Sequence, residues 1–173
     1  EIVERLEDYG RRPFRLHLLV APTKNTARIE WLVEKAVEIG VDRITPILCD
    51  HSERGVQKTD RLDRIALSAM KQSLKARRPQ IDSPVKLVDF LRQPVEGCKL
   101  VCYCEGDERH SLRELYTPGT DAVVLIGPEG DFSPREIEAA LAAGFHPVTL
   151  GDSRLRTETA ALYAVTALNF LNC

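Results

Sequence analysis

Residues 121–160, DAVVLIGPEGDFSPREIEAALAAGFHPVTLGDSRLRTETA, contain two apolar runs, each of which stops at a glycine turn and is followed by the start of a helix. A glycine directly after an apolar run lets the backbone turn with positive φ and lets a ligand come close to the main chain. One such turn is ordinary, whereas two in succession predict neighbouring strand ends that share a ligand. The run AVVLI suits a parallel strand covered on both faces. In FSPREI, Ser133 stands as the N-cap, Pro134 at the first helical position and Glu136 where a capping box closes, with Phe132 able to staple against Ile137. This helix is expected to reach Ala143 and stop at Gly144, before the strand HPVTL. The last helix, TETAALYAVTALNFL, is apolar on nearly all sides, so a core or a subunit interface must bury it. Thr157 or Thr159 can cap it and Glu158 suits its N-terminal dipole, which leaves Arg154 and Arg156 without a structural role.

Upstream, RPFRLHLLVAP reads as a strand ending at Pro22. Ile29, Leu32, Val33, Ala36 and Val37 then recur at helical spacing over residues 26–38, and Gly40 sits where a helix ends. VDRITPILCD is a strand whose Pro46 argues against an uninterrupted central position. HSERGVQKT, residues 51–59, is a polar loop. Asp60 can cap the next helix, whose apolar face is Leu62, Ile65, Ala66, Ala69, Met70, Ser73 and Leu74, leaving Arg61, Arg64, Lys71 and Lys75 toward solvent. CKLVCYCE is a further strand. Strands alternating with helices imply an α/β fold with a mainly parallel sheet, whose ligands lie at the carboxyl ends of the strands.

With 173 residues, 43% of them hydrophobic, the chain can bury one core. It has no apolar run of about 18 residues and its start is charged, so neither a membrane span nor a signal peptide is expected, and a cytoplasmic protein is the default. The five cysteines lack C-x-x-C spacing, and Cys98, Cys102 and Cys104 alternate onto one strand face as reduced thiols, so no metal site is expected. His17, His51, His110 and His146 share no spacing that suggests a nucleophile triad. The net charge of −2 hides an asymmetry: residues 54–78 carry +6 and the remainder −8. A concentrated basic segment on an acidic chain fits a localised polyanion partner as well as a solvated helix face. GPEGDFSPRE also reads as a plain turn and cap, and it is neither a Walker loop nor a G-x-G-x-x-G fingerprint.

Taken together and in order, KNTARIEWLVEKAVEIGVDRITPI, AMKQSLKARRPQI, LIGPEGDFSPREIEAA and LGDSRLRTETAALYAVTAL closely resemble the catalytic domain of the RsmE family, over about residues 16–171. These are SPOUT-superfamily enzymes that use S-adenosylmethionine to methylate N3 of a uridine in bacterial 16S ribosomal RNA. The resemblance implies a SPOUT domain over residues 16–173 with a deep C-terminal trefoil knot, a rare exception to the unknotted rule. It also implies a homodimer, a partner in 16S rRNA or the small ribosomal subunit, and a linker in residues 1–15 following an N-terminal PUA-like RNA-binding domain. By the same likeness three loops build the S-adenosylmethionine pocket: Ile126, Gly127, Pro128, Glu129 and Gly130; Leu150 and Gly151; and Leu155, Arg156, Thr157, Glu158, Thr159 and Ala160.

Methyl transfer to uracil N3 requires that nitrogen to lose its proton, and hydrogen bonds to the developing anion ease the loss. Arg156 is the candidate for stabilising that anion, and Glu158 for orienting Arg156 or the cofactor. Arg61, Arg64, Lys71, Lys75, Arg77 and Arg78 are the candidate phosphate contacts. The chain departs from the family pattern at Asp131, where a second glycine is usual, at Ser153, where arginine is usual, and at Lys71, where glutamate is frequent. Two alternatives stand beside this reading: a non-catalytic knotted RNA-binding dimer, and a methyltransferase of the same fold acting on ribose or transfer RNA.

Overall fold

Strands that all pair in parallel make a single sheet in the computed structural model, which describes residues 2–52, 58–103 and 110–173. In chain order the elements are β1 (Leu16–Val20), α1 (Thr26–Ile39), β2 (Arg43–Leu48), α2 (Thr59–Gln72), β3 (Gln80–Ile81), β4 (Val85–Lys86), α3 (Leu87–Phe90), β5 (Cys98–Cys102), β6 (His110–Ser111), α4 (Leu112–Leu115), β7 (Ala122–Ile126), α5 (Pro134–Ala142), β8 (His146–Thr149) and α6 (Thr157–Phe170). The sheet order is β3-β2-β1-β7-β5-β8-β6, with β4 also on β2.

The sheet is covered on both faces, as continuous apolar strands require. Alternate residues of β1 divide between two cores. Leu16, Leu18 and Val20 join the side chains of α1, α2 and α6, whereas Leu19 joins those of α3 and α5. β7, expected from AVVLI, is buried at every position and lies between β1 and β5. Pro46 is tolerated in β2 because the outer neighbour changes beside it: β3 pairs through Ile44 and β4 from Ile47.

Several helix ends differ from expectation. Asp60 does not cap α2. Lys58 holds that place without a side-chain hydrogen bond, and Asp60 sits in the first turn, where its charge suits the dipole. Leu74 does not belong to the apolar face, because the helix stops at Gln72 and Leu74 adopts φ of 55° with its side chain in solvent. At α5 the expected capping box is present, and Gly144 follows its end with φ of 84°. Neither Thr157 nor Thr159 caps α6; Arg156 is the N-cap, and the Thr157 hydroxyl instead donates to the Gly127 carbonyl at 3.1 Å. The site exploits that change. The cysteine-face expectation holds for Cys98 and Cys102, which pack against the first core outside any disulfide, while Cys104 and most of the 51–59 loop lie outside the described residues.

His17 is a core histidine. The Thr45 hydroxyl donates to Asp82, which leaves its oxygen to accept from His17 Nε2 at 2.7 Å, and the ring packs edge-on against Phe90. Burial, then the Arg43 charge, push its pKa down to about 4, with Asp82 opposing. The unfolded chain therefore binds this proton below about pH 6.5 and the folded chain does not, so stability falls as pH drops from 6.5 toward 4. The loss due to His17 is on the order of 3 kcal/mol. Urea melts at pH 7 and pH 4.5 are expected to show this loss in the wild-type chain and a clearly smaller one in His17→Leu, which cannot titrate there; equal losses would refute the assignment.

Candidate active site

The two glycine turns are not at neighbouring strand ends, because β5 lies between β7 and β8. They still meet. Cys102 and Tyr103 at the end of β5 form the floor between them, and a cavity of about 890 Å³ opens over the three strand ends. That volume lies within the range of small-molecule sites.

Of the residues expected at a cofactor site, Ile126, Gly127, Pro128, Glu129, Gly130, Leu150, Gly151, Leu155, Arg156, Thr157 and Ala160 all line this cavity. Glu158 and Thr159 do not; Thr159 faces solvent and Glu158 is buried behind the wall. Asp131, Asp152, Ser153 and Arg154 line it too, and the turn signal at Gly151 could have pointed to the last three. Cys102 and Tyr103 carried no sequence signal, since their place depends on β5 inserting between β7 and β8.

Glycine suits two positions for different reasons. A Cβ on Gly127 would come to 3.0 Å from the Phe132 ring, tighter than side chains ordinarily pack, so glycine lets the turn lie against that ring. A Cβ on Gly151 would meet nothing within 4 Å, but its φ of 108° is one that other residues rarely adopt. Asp131 adopts φ of 61°, a left-handed conformation that aspartate tolerates better than most residues, and its carboxylate accepts from Phe132 N at 2.8 Å.

The first turn is held from below by a buried carboxylate. Glu136, 1% exposed, accepts from Ser133 N and from Asp50 N, each at 2.9 Å, so one side chain ties α5 to the end of β2. Asp50 returns the contact, accepting from the Ser133 hydroxyl at 2.6 Å and from Arg135 at 2.9 Å. The Ser133 hydrogen bond, with Arg135 adding to it, holds the Asp50 carboxyl below its usual range. His51 Nδ1 lies 3.1 Å from the carbonyls of both Gly130 and Asp131.

Arg156 occupies the N-cap of α6 on the cavity wall, exposed, and its guanidinium has no partner among the described residues. A free guanidinium at a cavity wall can donate up to five hydrogen bonds to an anion or carbonyl. Glu158 does not contact it. Glu158 Oε1 instead lies 3.6 Å from Arg28 Nε, and Arg28 Nη1 lies 3.6 Å from Glu129 Oε1. The signal for Arg28 was in the sequence: a cation in the first turn of α1, where the helix dipole disfavours it and no acidic residue stands.

The basic segment is divided. α2 runs back against the strands, so Arg61 starts it beside the first turns of α1, donating through Nε and Nη2 to the Glu30 carboxylate. Arg77 and Arg78 line a second cavity, of about 780 Å³, where β1, β2 and β7 begin, at the opposite end of the sheet. Arg77 pairs with Asp8 and Arg78 with Asp63. Arg64 and Lys71 are exposed, and Lys75 is half-buried. The six residues thus form a track along α2 and the segment that follows it rather than a rim around the first cavity.

A family model described as an RNA methyltransferase domain matches residues 10–169. The chain is 33% identical over 172 residues to the ribosomal RNA small subunit methyltransferase E of Aquifex aeolicus, covering 97% of this chain and 73% of that protein. It is 31% identical to the protein of the same name from Mesomycoplasma hyopneumoniae, covering 96% and 74%. Among solved structures, one titled a "probable rRNA-methyltransferase" from Porphyromonas gingivalis superposes with a TM-score of 0.88 at 47% identity, over 94% of this chain and 70% of that one. The ribosomal RNA small subunit methyltransferase E of Neisseria gonorrhoeae, bound to S-adenosyl methionine, gives 0.84 at 30% identity, over 92% and 67%.

Proposed function

Because the chain belongs to the RsmE family of RNA methyltransferase domains, we propose that it transfers a methyl group from S-adenosylmethionine to N3 of a uridine in 16S ribosomal RNA. The observation that carries this reading is the convergence of residues 126–130, 150–151 and 155–157 on one cavity. The donor set fits the cofactor. The carboxylates of Glu129, Asp131 and Asp152 suit a ligand bearing sulfonium and ammonium charges, and Arg154 suits its carboxylate.

When bound, S-adenosylmethionine supplies a methyl group made electrophilic by its sulfonium. The chain's own part is to hold the uracil and to ease the loss of its N3 proton. Arg156, at the wall and without a partner among the described residues, donates hydrogen bonds to a uracil carbonyl as negative charge develops on it. Thr157 fixes the helix start that carries Arg156 by donating to Gly127 on the opposite loop. Arg61, Arg64, Lys71, Lys75, Arg77 and Arg78 are the contacts for RNA phosphates along α2 and the segment that follows it. The reading includes the family's C-terminal trefoil knot, a homodimer and work in the cytoplasm. The exposure of Tyr163 and Phe170 on the otherwise apolar α6 favours the dimer, and no helix among the described residues is long and apolar enough to cross a membrane.

The melting temperature with S-adenosylhomocysteine tests the proposal, with ATP and NAD as controls. Ligand at about 100 times its dissociation constant is expected to add roughly 2.7 kcal/mol, or about 5 to 10 °C for a domain of this size. A shift with none of the three would favour the non-catalytic RNA-binding dimer.

A further inference from the structure

We infer that Arg28 is a positioning residue of this site, tying the cavity-lining turn at Glu129 to the first turn of α6 at Glu158. The inference rests on the methyltransferase reading. Arg28 stands in the first turn of α1, where a cation opposes the helix dipole and where no acidic residue of that turn offsets it. Both of its compensating charges come from other elements. Glu129 approaches one end of the guanidinium and Glu158 the other, each at 3.6 Å. These two carboxylates belong to the first and third loops around the cavity. A planar guanidinium with separated nitrogens can span them, whereas a lysine ammonium is a single point.

Glu158 supports the same conclusion from the buried side. Its side chain is only 10% exposed, and its Oε2 has no hydrogen-bond partner among the described residues. A carboxylate in that position makes no sense as a cap alone, since its cost is offset only where a cation holds it. Arg28 is that cation, and Glu158 in turn fixes Arg28 against the wall. Glu129, 41% exposed and lining the cavity, then has its carboxylate held at the wall instead of free to swing into solvent. Arg28 itself does not line the cavity, so it acts through Glu129 and through the spacing of the two loops.

The test is the dissociation constant of S-adenosylhomocysteine, measured calorimetrically well below the melting temperature, for the wild-type chain, Arg28→Ala, Arg28→Lys, Glu129→Gln and the double variant Arg28→Ala/Glu129→Gln. Arg28→Ala is expected to weaken binding about tenfold and Arg28→Lys less. The double variant is expected to bind no worse than the weaker single variant, because the two residues act as one unit. Near-UV circular dichroism identifies any variant that has lost its fold. Wild-type affinity in a folded Arg28→Ala chain, or losses that multiply in the double variant, would overturn the inference while leaving the methyltransferase reading intact. A wild-type chain that does not bind S-adenosylhomocysteine would overturn that reading itself, and this inference with it.

Discussion

Arg156→Ala is expected to lower the rate of RNA methylation at least about 100-fold while changing cofactor affinity far less. Removing one preorganised donor to a developing oxyanion typically costs a factor of 10² to 10³, or roughly 2.7 to 4 kcal/mol. Arg156 is placed to be such a donor, because it stands at the N-cap of a helix whose start is anchored to Gly127, and its guanidinium is not spent on a carboxylate among the described residues. The helix terminus beneath it adds partial positive charge in the same place. If its work is to ease deprotonation of N3, the deficit shrinks as the pH rises, since the uracil then ionises without help. Single-turnover rates from pH 7 to pH 10, with the small ribosomal subunit as substrate, check both statements. A variant that binds cofactor and RNA and still methylates at the wild-type rate would remove Arg156 from the chemistry. A deficit constant across that range would reassign it to substrate positioning.

The second large effect is on stability, at Glu136. Its two carboxylate oxygens each accept from a backbone N–H, one on α5's own cap and one on Asp50 at the end of β2, and the side chain is almost wholly out of water. Charge-assisted hydrogen bonds of this kind contribute roughly 1.5 to 3 kcal/mol each, and alanine would leave both donors without partners. Glu136→Ala is therefore expected to destabilise the chain by about 3 to 5 kcal/mol, lowering the melting temperature by about 10 °C. Glu136→Gln, which retains one acceptor but sets an amide N–H against the other donor, is expected to lose about half as much. Urea denaturation measures both. A loss under about 1 kcal/mol for the alanine variant would mean that solvent reaches Ser133 N and Asp50 N, and that the lock between β2 and α5 is not a folding constraint. Since α5 begins directly after the cavity-lining turn, the alanine variant is also expected to bind S-adenosylhomocysteine more weakly.

The parts of this protein that were legible in its sequence are those set by local physics. Apolar periodicity located β7 and α1, and Ser133, Pro134 and Glu136 specified the start of α5 because a capping box is complete within four residues. The glycine turns after two strands marked both walls of the cavity, since Gly127 and Gly151 answer to packing and to backbone φ respectively. Local rules failed for two different reasons. Thr157 gives up capping α6 because its hydroxyl reaches Gly127, thirty positions away, and Leu74 leaves the apolar face of α2 because the chain turns there toward β3.

The sequence by itself determined the class of fold, the order of the longer strands and helices and the two turns that line the cavity, because each depends on residues within one helical turn or one strand of each other, whereas the short β3, β4, α3, β6 and α4 carried no such signal. Only the tertiary structure decided that β5 separates those turns, that the basic segment runs away from the cavity, and that Arg28 bridges Glu129 and Glu158. Those facts depend on which strand lies beside which in a parallel sheet. Parallel neighbours need crossover connections, so their order is set by how whole helices pack on the two faces, and no short stretch of residues encodes it.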